Sequence, residues 1–199
     1  LPKLVLATGN TNKVRELQDL LAGLPFTVVT VIDYPGLMMP VEDQPTFAGN
    51  AALKSEAVSK FCGEMALADD SGLEVDALGG RPGVYSARYA GEEGNYAANN
   101  RLLLRELAGL SPEQRQARFV CAIAITIPGD QTYIIEENCS GVIAEEPKGE
   151  GGFGYDPLFI YEPVGLTFAE MSAHEKNKVS HRGRALVKAR ELLGKKLVF

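Results

Sequence analysis

Apolar residues in this chain fall into short runs separated by amphipathic stretches, and the periods of the two alternate from the start. Leu4-Val5-Leu6-Ala7 reads as a strand that passes directly into the polar stretch Thr8-Gly9-Asn10-Thr11-Asn12-Lys13, after which Val14, Leu17, Leu21 and Leu24 recur on one face of a helix. Thr27 to Ile32 is a β-branched strand, so the chain opens β-α-β. Pro35, Gly36, Pro40 and Pro45 mark a loop, and Phe47, Ala51, Lys54, Val58 and Phe61 carry the helical period from Phe47 to Cys62. Met65 to Ala68 predicts a short buried strand that delivers Asp69, Asp70 and Ser71 into a turn at Gly72, with Leu73 and Val75 resuming a strand beyond it. Gly79-Gly80-Arg81-Pro82-Gly83 predicts a tight loop, Asn95 to Leu107 an amphipathic helix, and Ser111-Pro112-Glu113-Gln114 a second capped helix start. Ala117 to Ile127 is the longest strand signal; Pro128-Gly129-Asp130 turns the chain, and Gln131–Ile135 and Gly141–Ala144 return as antiparallel strands. Ser172 and Glu175 form a capping box, and Ala185, Leu186, Ala189 and Leu193 give a last helix its buried face, with Gly194 as its stop. The pattern predicts an α/β protein in which a meander is added to a β-α-β sheet.

At 199 residues, 45% of them hydrophobic, the chain can bury a core as one domain or as two lobes sharing a sheet. A net charge of -6 argues against a general nucleic-acid backbone binder, while a few local Lys and Arg residues suffice to hold one polyphosphate. Cys62, Cys121 and Cys139 are odd in number and lack CxxC spacing, so they read as packing thiols of a reducing compartment. Leu1-Pro2-Lys3 opens no signal-peptide core, and no apolar run is long enough to cross a membrane. The expectation is a cytoplasmic protein, with no membrane or nucleic-acid partner, whose initiator was trimmed or re-read.

Several polar clusters suggest chemistry. Adjacent carboxylates at Asp69 and Asp70 each need a cation or a proton, and Mg²⁺, which takes one or two carboxylates and otherwise water and phosphate oxygens, suits them; the alternative is an Asx-type turn with solvated acids. Thr8 to Lys13 has the layout of a phosphate cradle, since Gly9 permits close approach, the helix start offers amides and Lys13 adds a cation; the alternative is an ordinary helix start capped by Asn10 or Asn12. Lys54, close to an apolar stripe, either snorkels, the better supported choice from the residue alone, or reaches across a cleft. Arg88, between Tyr85 and Tyr89, either pairs with a phosphate or stacks on the rings. Gly149, Gly151 and Gly154 spell GxGxxG, yet Asp156-Pro157 and a strand follow where a dinucleotide site needs a helix. What remains is a flexible loop that presents Phe153 and Tyr155 beside Asp156, either to stack and read a planar base or with Phe153 tucked into the core. Lys176, His181 and Arg182 concentrate donors at the start of the last helix, and no nucleophile pairs with His181 as a triad would require.

Thr8-Gly9-Asn10-x-x-Lys13, Phe47-x-x-Asn50-Ala51-x-x-Lys54, Asp69-Asp70-Ser71-Gly72-Leu73, Gly79-Gly80-x-Pro82-Gly83-x-Tyr85-Ser86-Ala87-Arg88, Gly152-Phe153-Gly154-Tyr155-Asp156-Pro157 and Ser180-His181-Arg182-Gly183 occur in this order from Thr8 to about Leu193. Together they resemble the inosine triphosphate pyrophosphatase family, the bacterial XTP/dITP diphosphatases. The resemblance implies a single α/β domain over residues 1–199, with a long mixed sheet flanked by helices and two lobes around a nucleotide cleft, working as a homodimer. It implies Mg²⁺-dependent hydrolysis of the noncanonical purine nucleoside triphosphates ITP, dITP and XTP to the monophosphate and pyrophosphate, cleansing the nucleotide pool before DNA and RNA are made. Thr8, Gly9, Asn10, Thr11, Asn12 and Lys13 would hold the triphosphate, with Lys54 and Arg88 adding charge, and Ser71 would contact substrate. Asp70 would be the catalytic carboxylate, with Asp69 sharing the work. Phe153, Gly154, Tyr155, Asp156, Lys176, His181 and Arg182 would surround base and sugar. The second metal ligand beside Asp70 would be Glu42, with Asp43 as the other choice, and the chain departs from many members in carrying Gly49 in place of Glu.

Overall fold

In the computed structural model, which describes residues 1–196, the first apolar run becomes strand β1 (Lys3–Leu6), followed by helix α1 (Thr11–Leu21) and strand β2 (Thr27–Thr30). β2 runs parallel to β1 with Lys3 opposite Thr27 and Leu6 opposite Thr30, which closes the β-α-β start. α1 begins at Thr11, ahead of Lys13, because Asn10 caps it: the Asn10 Oδ1 accepts from the amides of Asn12 at 3.0 Å and Lys13 at 3.3 Å. β2 stops at Thr30, where the Asp33 carboxylate folds back onto the Thr30 amide at 2.8 Å and a single 3-10 turn, Val31–Asp33, replaces the last expected strand residues. Helix α2 (Phe47–Cys62) has the expected bounds, with Thr46 capping the Gly49 amide and Gly63 ending it at φ 68°, a left-handed angle that costs glycine least.

Strand β3 (Met65–Val75) departs from expectation. Instead of turning at Gly72 it continues for 11 residues, pairing in parallel with β1. Residues 66–70, 72, 73 and 75 are all buried. A strand covered on both faces need not alternate, so the acids interrupt the hydrophobic run without interrupting the backbone. Helix α3 (Tyr96–Glu106) follows, and Pro112–Gln114 forms only a 3-10 turn before strand β4 (Gln116–Thr126). The two short return strands are one, β5 (Thr132–Ile143), because Ile134, Glu136, Asn138 and Ser140 are exposed with the period of two and let it run on. Strands β6 (Phe159–Tyr161) and β7 (Leu166–Thr167) complete a seven-stranded mixed sheet in the order β2-β1-β3-β4-β5-β6-β7, with β6 antiparallel to both neighbours. Helix α4 (Ala173–Val179) carries the predicted Ser172/Glu175 box, and helix α5 (His181–Lys196) runs through Gly194 rather than ending there.

By their contacts the residues group into two units. One comprises Leu1–Asp70, Cys121–Glu137 and the chain from Gly183 onward; the other comprises Ser71–Val120 and Asn138–Arg182. The first has two cores, one joining Leu4, Leu6, Leu17, Leu67 and Ile123 with Leu186 and Leu193 of α5, the other joining Val5, Ala7, Ala66 and Ala68 with Val58 of α2. The second is built on Leu73, Leu103, Phe119, Tyr155, Phe159 and Phe168. Among the described residues no helix is long and apolar enough to cross a membrane.

Candidate functional site

The two cores of the first unit settle where the adjacent acids point. Leu67 belongs to the core under α1, whereas Ala66 and Ala68 belong to the core under α2. Side chains alternate along a strand, so Asp69 continues the α1 face and Asp70 the α2 face. Each meets a partner from the helix on its side. Lys13 of α1 places Nζ 3.1 Å from Asp69 Oδ2, and Asn50 of α2 donates from Nδ2 to Asp70 Oδ2 at 3.0 Å. The solvated turn is thereby replaced by a buried strand in which neither acid faces water, at 0% exposure for Asp69 and 7% for Asp70.

Lys54 does not snorkel. Its Nζ donates to the Asp69 carbonyl at 2.9 Å and stands 3.1 Å from Glu42 Oε1, with the side chain 5% exposed. Glu42 is therefore the loop carboxylate drawn to this cluster, while Asp43 accepts from the Gln44 side chain at 2.8 Å. Burial raises the Asp70 carboxyl above the ordinary carboxylate range; Lys54 and Lys13 oppose the rise, Glu42 adds to it, and the Asn50 hydrogen bond opposes it. A carboxylate in that balance gains from a nearby cation. Among the described residues no group of three or more His, Cys, Asp or Glu side chains forms a metal cage. An oxygen-donor pair, Glu42 and Asp70, fits Mg²⁺, a hard ion that keeps waters and takes phosphate oxygens for the rest of its shell. In the cradle, Thr8 is buried and its Oγ1 accepts from the Asn10 amide at 3.2 Å, Gly9 borders open space, Thr11 is exposed and Asn12 half-buried.

A second cluster lies in the other unit, beginning at Ser71, the next residue along β3. The glycine-rich loop is anchored: Gly151 donates to the Ala169 carbonyl at 3.0 Å and Lys148 to that of Pro157 at 2.9 Å. Asp156, 2% exposed, accepts the Phe153 amide at 2.9 Å and the Lys176 ammonium at 2.7 Å through Oδ2. Gly152, at φ +68°, leaves room for that oxygen, which a Cβ would meet at 2.0 Å. Tyr155 turns into the core and gives its hydroxyl to the Ser86 carbonyl at 2.8 Å; burial, then Tyr89, raises its phenol well above the ordinary value, so it stays a neutral donor. Phe153 stays half-buried, with Lys176 Nζ 5.1 Å and the Arg182 guanidinium 5.5 Å from its ring centroid. Arg182 donates to Ser71 Oγ at 2.8 Å, and His181, 4% exposed, stacks on Phe119 at 4.6 Å. Arg88 lies over the Tyr85 ring at 5.2 Å.

Two contributors received no role from the sequence, although Asn50 stands in the Phe47–Lys54 motif. Asn50 holds Asp70, and Asn100 of α3 donates to the Gly154 carbonyl at 3.0 Å and so steadies the glycine-rich loop. The spacing of Tyr96 and Asn100, four residues apart on one helix face, was the available signal: the Tyr96 ring lies 6.1 Å from that of Phe153.

The family model described as the Ham1 family matches residues 4–192. A dITP/XTP pyrophosphatase of Desulforamulus reducens is 53% identical over 193 residues, covering 97% of this chain and 96% of the relative. One from Bacillus subtilis is 49% identical over 190 residues, covering 95% and 96%. Among solved structures, a HAM1 protein from Coxiella burnetii superimposes with a TM-score of 0.90 at 36% identity over 98% of this chain and 100% of its own. The Staphylococcus aureus Ham1 protein gives 0.88 at 37% over 98% and 99%. Sequence and fold agree along almost the whole length, and the chain belongs to the Ham1 family.

Proposed function

We propose that this protein is a cytoplasmic, homodimeric nucleoside triphosphate pyrophosphatase, one catalytic domain that uses Mg²⁺ to hydrolyse ITP, dITP and XTP to the monophosphate and pyrophosphate and so keeps them out of DNA and RNA. The observation that carries the reading is Asp70: a buried carboxylate that accepts from Asn50, in a cluster where Lys13 pairs with Asp69 and Lys54 with Glu42, in a chain whose relatives bear the name dITP/XTP pyrophosphatase.

The triphosphate binds along Thr8, Gly9, Asn10, Thr11, Asn12 and Lys13, where the α1 start and its lysine favour anions. Glu42 and Asp70 would hold Mg²⁺, which would supply countercharge to the phosphates and acidify water. Asp70 would orient the attacking water toward the α-phosphorus, since an aspartate, with a reference pKa of about 3.9, is a weak base. Lys13 and Lys54 neutralise the transferring group and the departing pyrophosphate.

Base choice falls to the second cluster. Hypoxanthine and xanthine present O6 as an acceptor where adenine presents an amino donor, so Lys176, His181 and Arg182 satisfy the former and are left unpaired by the latter. A mismatch of that kind discriminates by about 10⁴. Stacking on Phe153 adds about 1–3 kcal/mol for any base. The test is turnover of ITP, dITP, XTP, ATP and GTP in ¹⁸O-water, with and without Mg²⁺, beside sedimentation for the dimer. Label in the monophosphate with unlabelled pyrophosphate is expected, from ITP and XTP far above ATP. Orthophosphate as the first product, or turnover without metal, refutes the mechanism.

A further inference from the structure

Asn50 stands one helical turn before Lys54 on α2, so the two side chains leave the same face of the helix. Lys54 grips Glu42 and the Asp69 carbonyl; Asn50 grips the neighbouring points of the same two segments. Its Oδ1 accepts the Gln44 amide at 3.0 Å, and its Nδ2 donates to Asp70 Oδ2 at 3.0 Å with the Gln44 carbonyl 3.5 Å away. The side chain is 1% exposed, so water cannot replace either bond. A carboxamide alone offers an acceptor and a donor at that spacing: a carboxylate cannot donate to Asp70, and a leucine of similar size offers neither group. Gly49 makes the approach possible, because a Cβ there would stand 2.9 Å from Gln44 Cβ and 3.0 Å from Thr46 Oγ1.

We infer that Asn50 is a positioning residue that fixes the Glu42 loop against Asp70, so that both carboxylates reach one divalent cation, and that Gly49 provides the space in which Gln44 is caught. The inference rests on the proposed pairing of Glu42 and Asp70 at the metal. Asn50 touches neither cation nor nucleotide in this role; it acts through the register of the two ligands, and loss of such a partner weakens metal binding by about 10–100-fold.

The experiment is Mn²⁺ binding to the metal-free protein without nucleotide, read by the spectroscopic signal of free Mn²⁺, for the parent, Asn50→Ala, Gly49→Ala, Glu42→Gln and the Asn50→Ala/Glu42→Gln pair. Asn50→Ala is expected to weaken Mn²⁺ by about 10-fold or more. Gly49→Ala, which leaves Asn50 and Asp70 in place and carries the test if Asn50→Ala does not fold, moves affinity the same way. In the Glu42→Gln background, Asn50→Ala should add less than about threefold, since the ligand it positions is gone. At saturating metal, kcat for ITP falls in Asn50→Ala with KM within about twofold of the parent. Mn²⁺ affinity in Asn50→Ala within about twofold of the parent, or a full loss repeated in the Glu42→Gln background, overturns the positioning role while leaving the metal pair intact. Unchanged Mn²⁺ binding in Glu42→Gln overturns the metal pair and the inference with it.

Discussion

Lys176→Met tests how the cluster around Asp156 is held. The Lys176–Asp156 pair is 2.7 Å long, with side chains 6% and 4% exposed. An exposed pair contributes about 0–1 kcal/mol, but here both charges are desolvated, and deleting the cation takes the ammonium from a carboxylate in the core at a cost of about 3–5 kcal/mol. For a chain of this length each kcal/mol moves Tm by about 2–4 °C, so Lys176→Met should melt about 6–20 °C below the parent. Methionine keeps most of the stem, which confines the loss to the charge. Adding Asp156→Asn removes the carboxylate charge while its amide oxygen still accepts the Phe153 N–H, so the double variant should recover about 2 kcal/mol or more relative to additivity. Urea unfolding of the four proteins at low and high salt measures the cycle, and the coupling should persist at high salt because a buried pair is screened little. Lys176→Met within about 1 kcal/mol of the parent, additive singles, or a coupling erased by salt would refute the claim that the pair is dry. The same variant should lower the ITP-to-ATP ratio of kcat/KM.

Asp70→Asn should abolish pyrophosphate release yet unfold at a higher temperature than the parent at neutral pH. Burial raises the folded carboxyl, so the folded state keeps a proton that the unfolded chain has lost, stability falls as pH rises from the ordinary carboxylate value to the raised one, and each unit of that rise removes about 1.4 kcal/mol. The advantage of the variant should vanish below the ordinary carboxylate range, and an Asp70→Asn protein no more stable than the parent at pH 7 would contradict the desolvation. Lys54→Met removes the larger of the charges that hold the Asp70 carboxyl down, so the acid limb of kcat/KM should move to higher pH; an unmoved limb would detach Lys54 from Asp70. Arg182→Ala frees Ser71 and uncovers one cation from the Phe153 ring, and should relax the preference for ITP over ATP by about tenfold or more, with an unchanged ratio removing Arg182 from base reading.

Most elements were legible because their periods were unmixed: α2 matches its apolar spacing to the residue, and β4 matches its run to within one. What misled was polarity read as exposure. Asp69-Asp70-Ser71 in a strand buried on both faces looks like a turn, since sequence alone does not reveal that helices cover both sides. Lys54 failed for the same reason, its partners lying 15 residues ahead on β3 and in a proline-marked loop behind it. Asn50 and Asn100 were harder still. An amide on an amphipathic helix disturbs no period, and their partners stand 20 and 54 residues away in the chain. The glycine-rich loop was legible as a loop but not in its anchoring, because Tyr155 and Asp156 point inward while Phe153 stays half-buried.

The adjacency of Asp69 and Asp70 acquires a physical meaning once the strand replaces the turn. Neighbouring side chains in a turn would share a cation or repel; in β3 they leave opposite faces, separated by one residue rise of about 3.3 Å along the strand. Asp69 is tied to Lys13, whose amide is held by the same Asn10 that caps α1, so the start of the helix is registered against this carboxylate. Asp70 is tied to Asn50 and, through the α2 face, to the loop that carries Glu42. A single dipeptide therefore fixes the proposed phosphate cradle relative to the proposed hydrolytic carboxylate, and no change that lengthens β3 between them by one residue can keep both, because the insertion would turn one acid onto the wrong face.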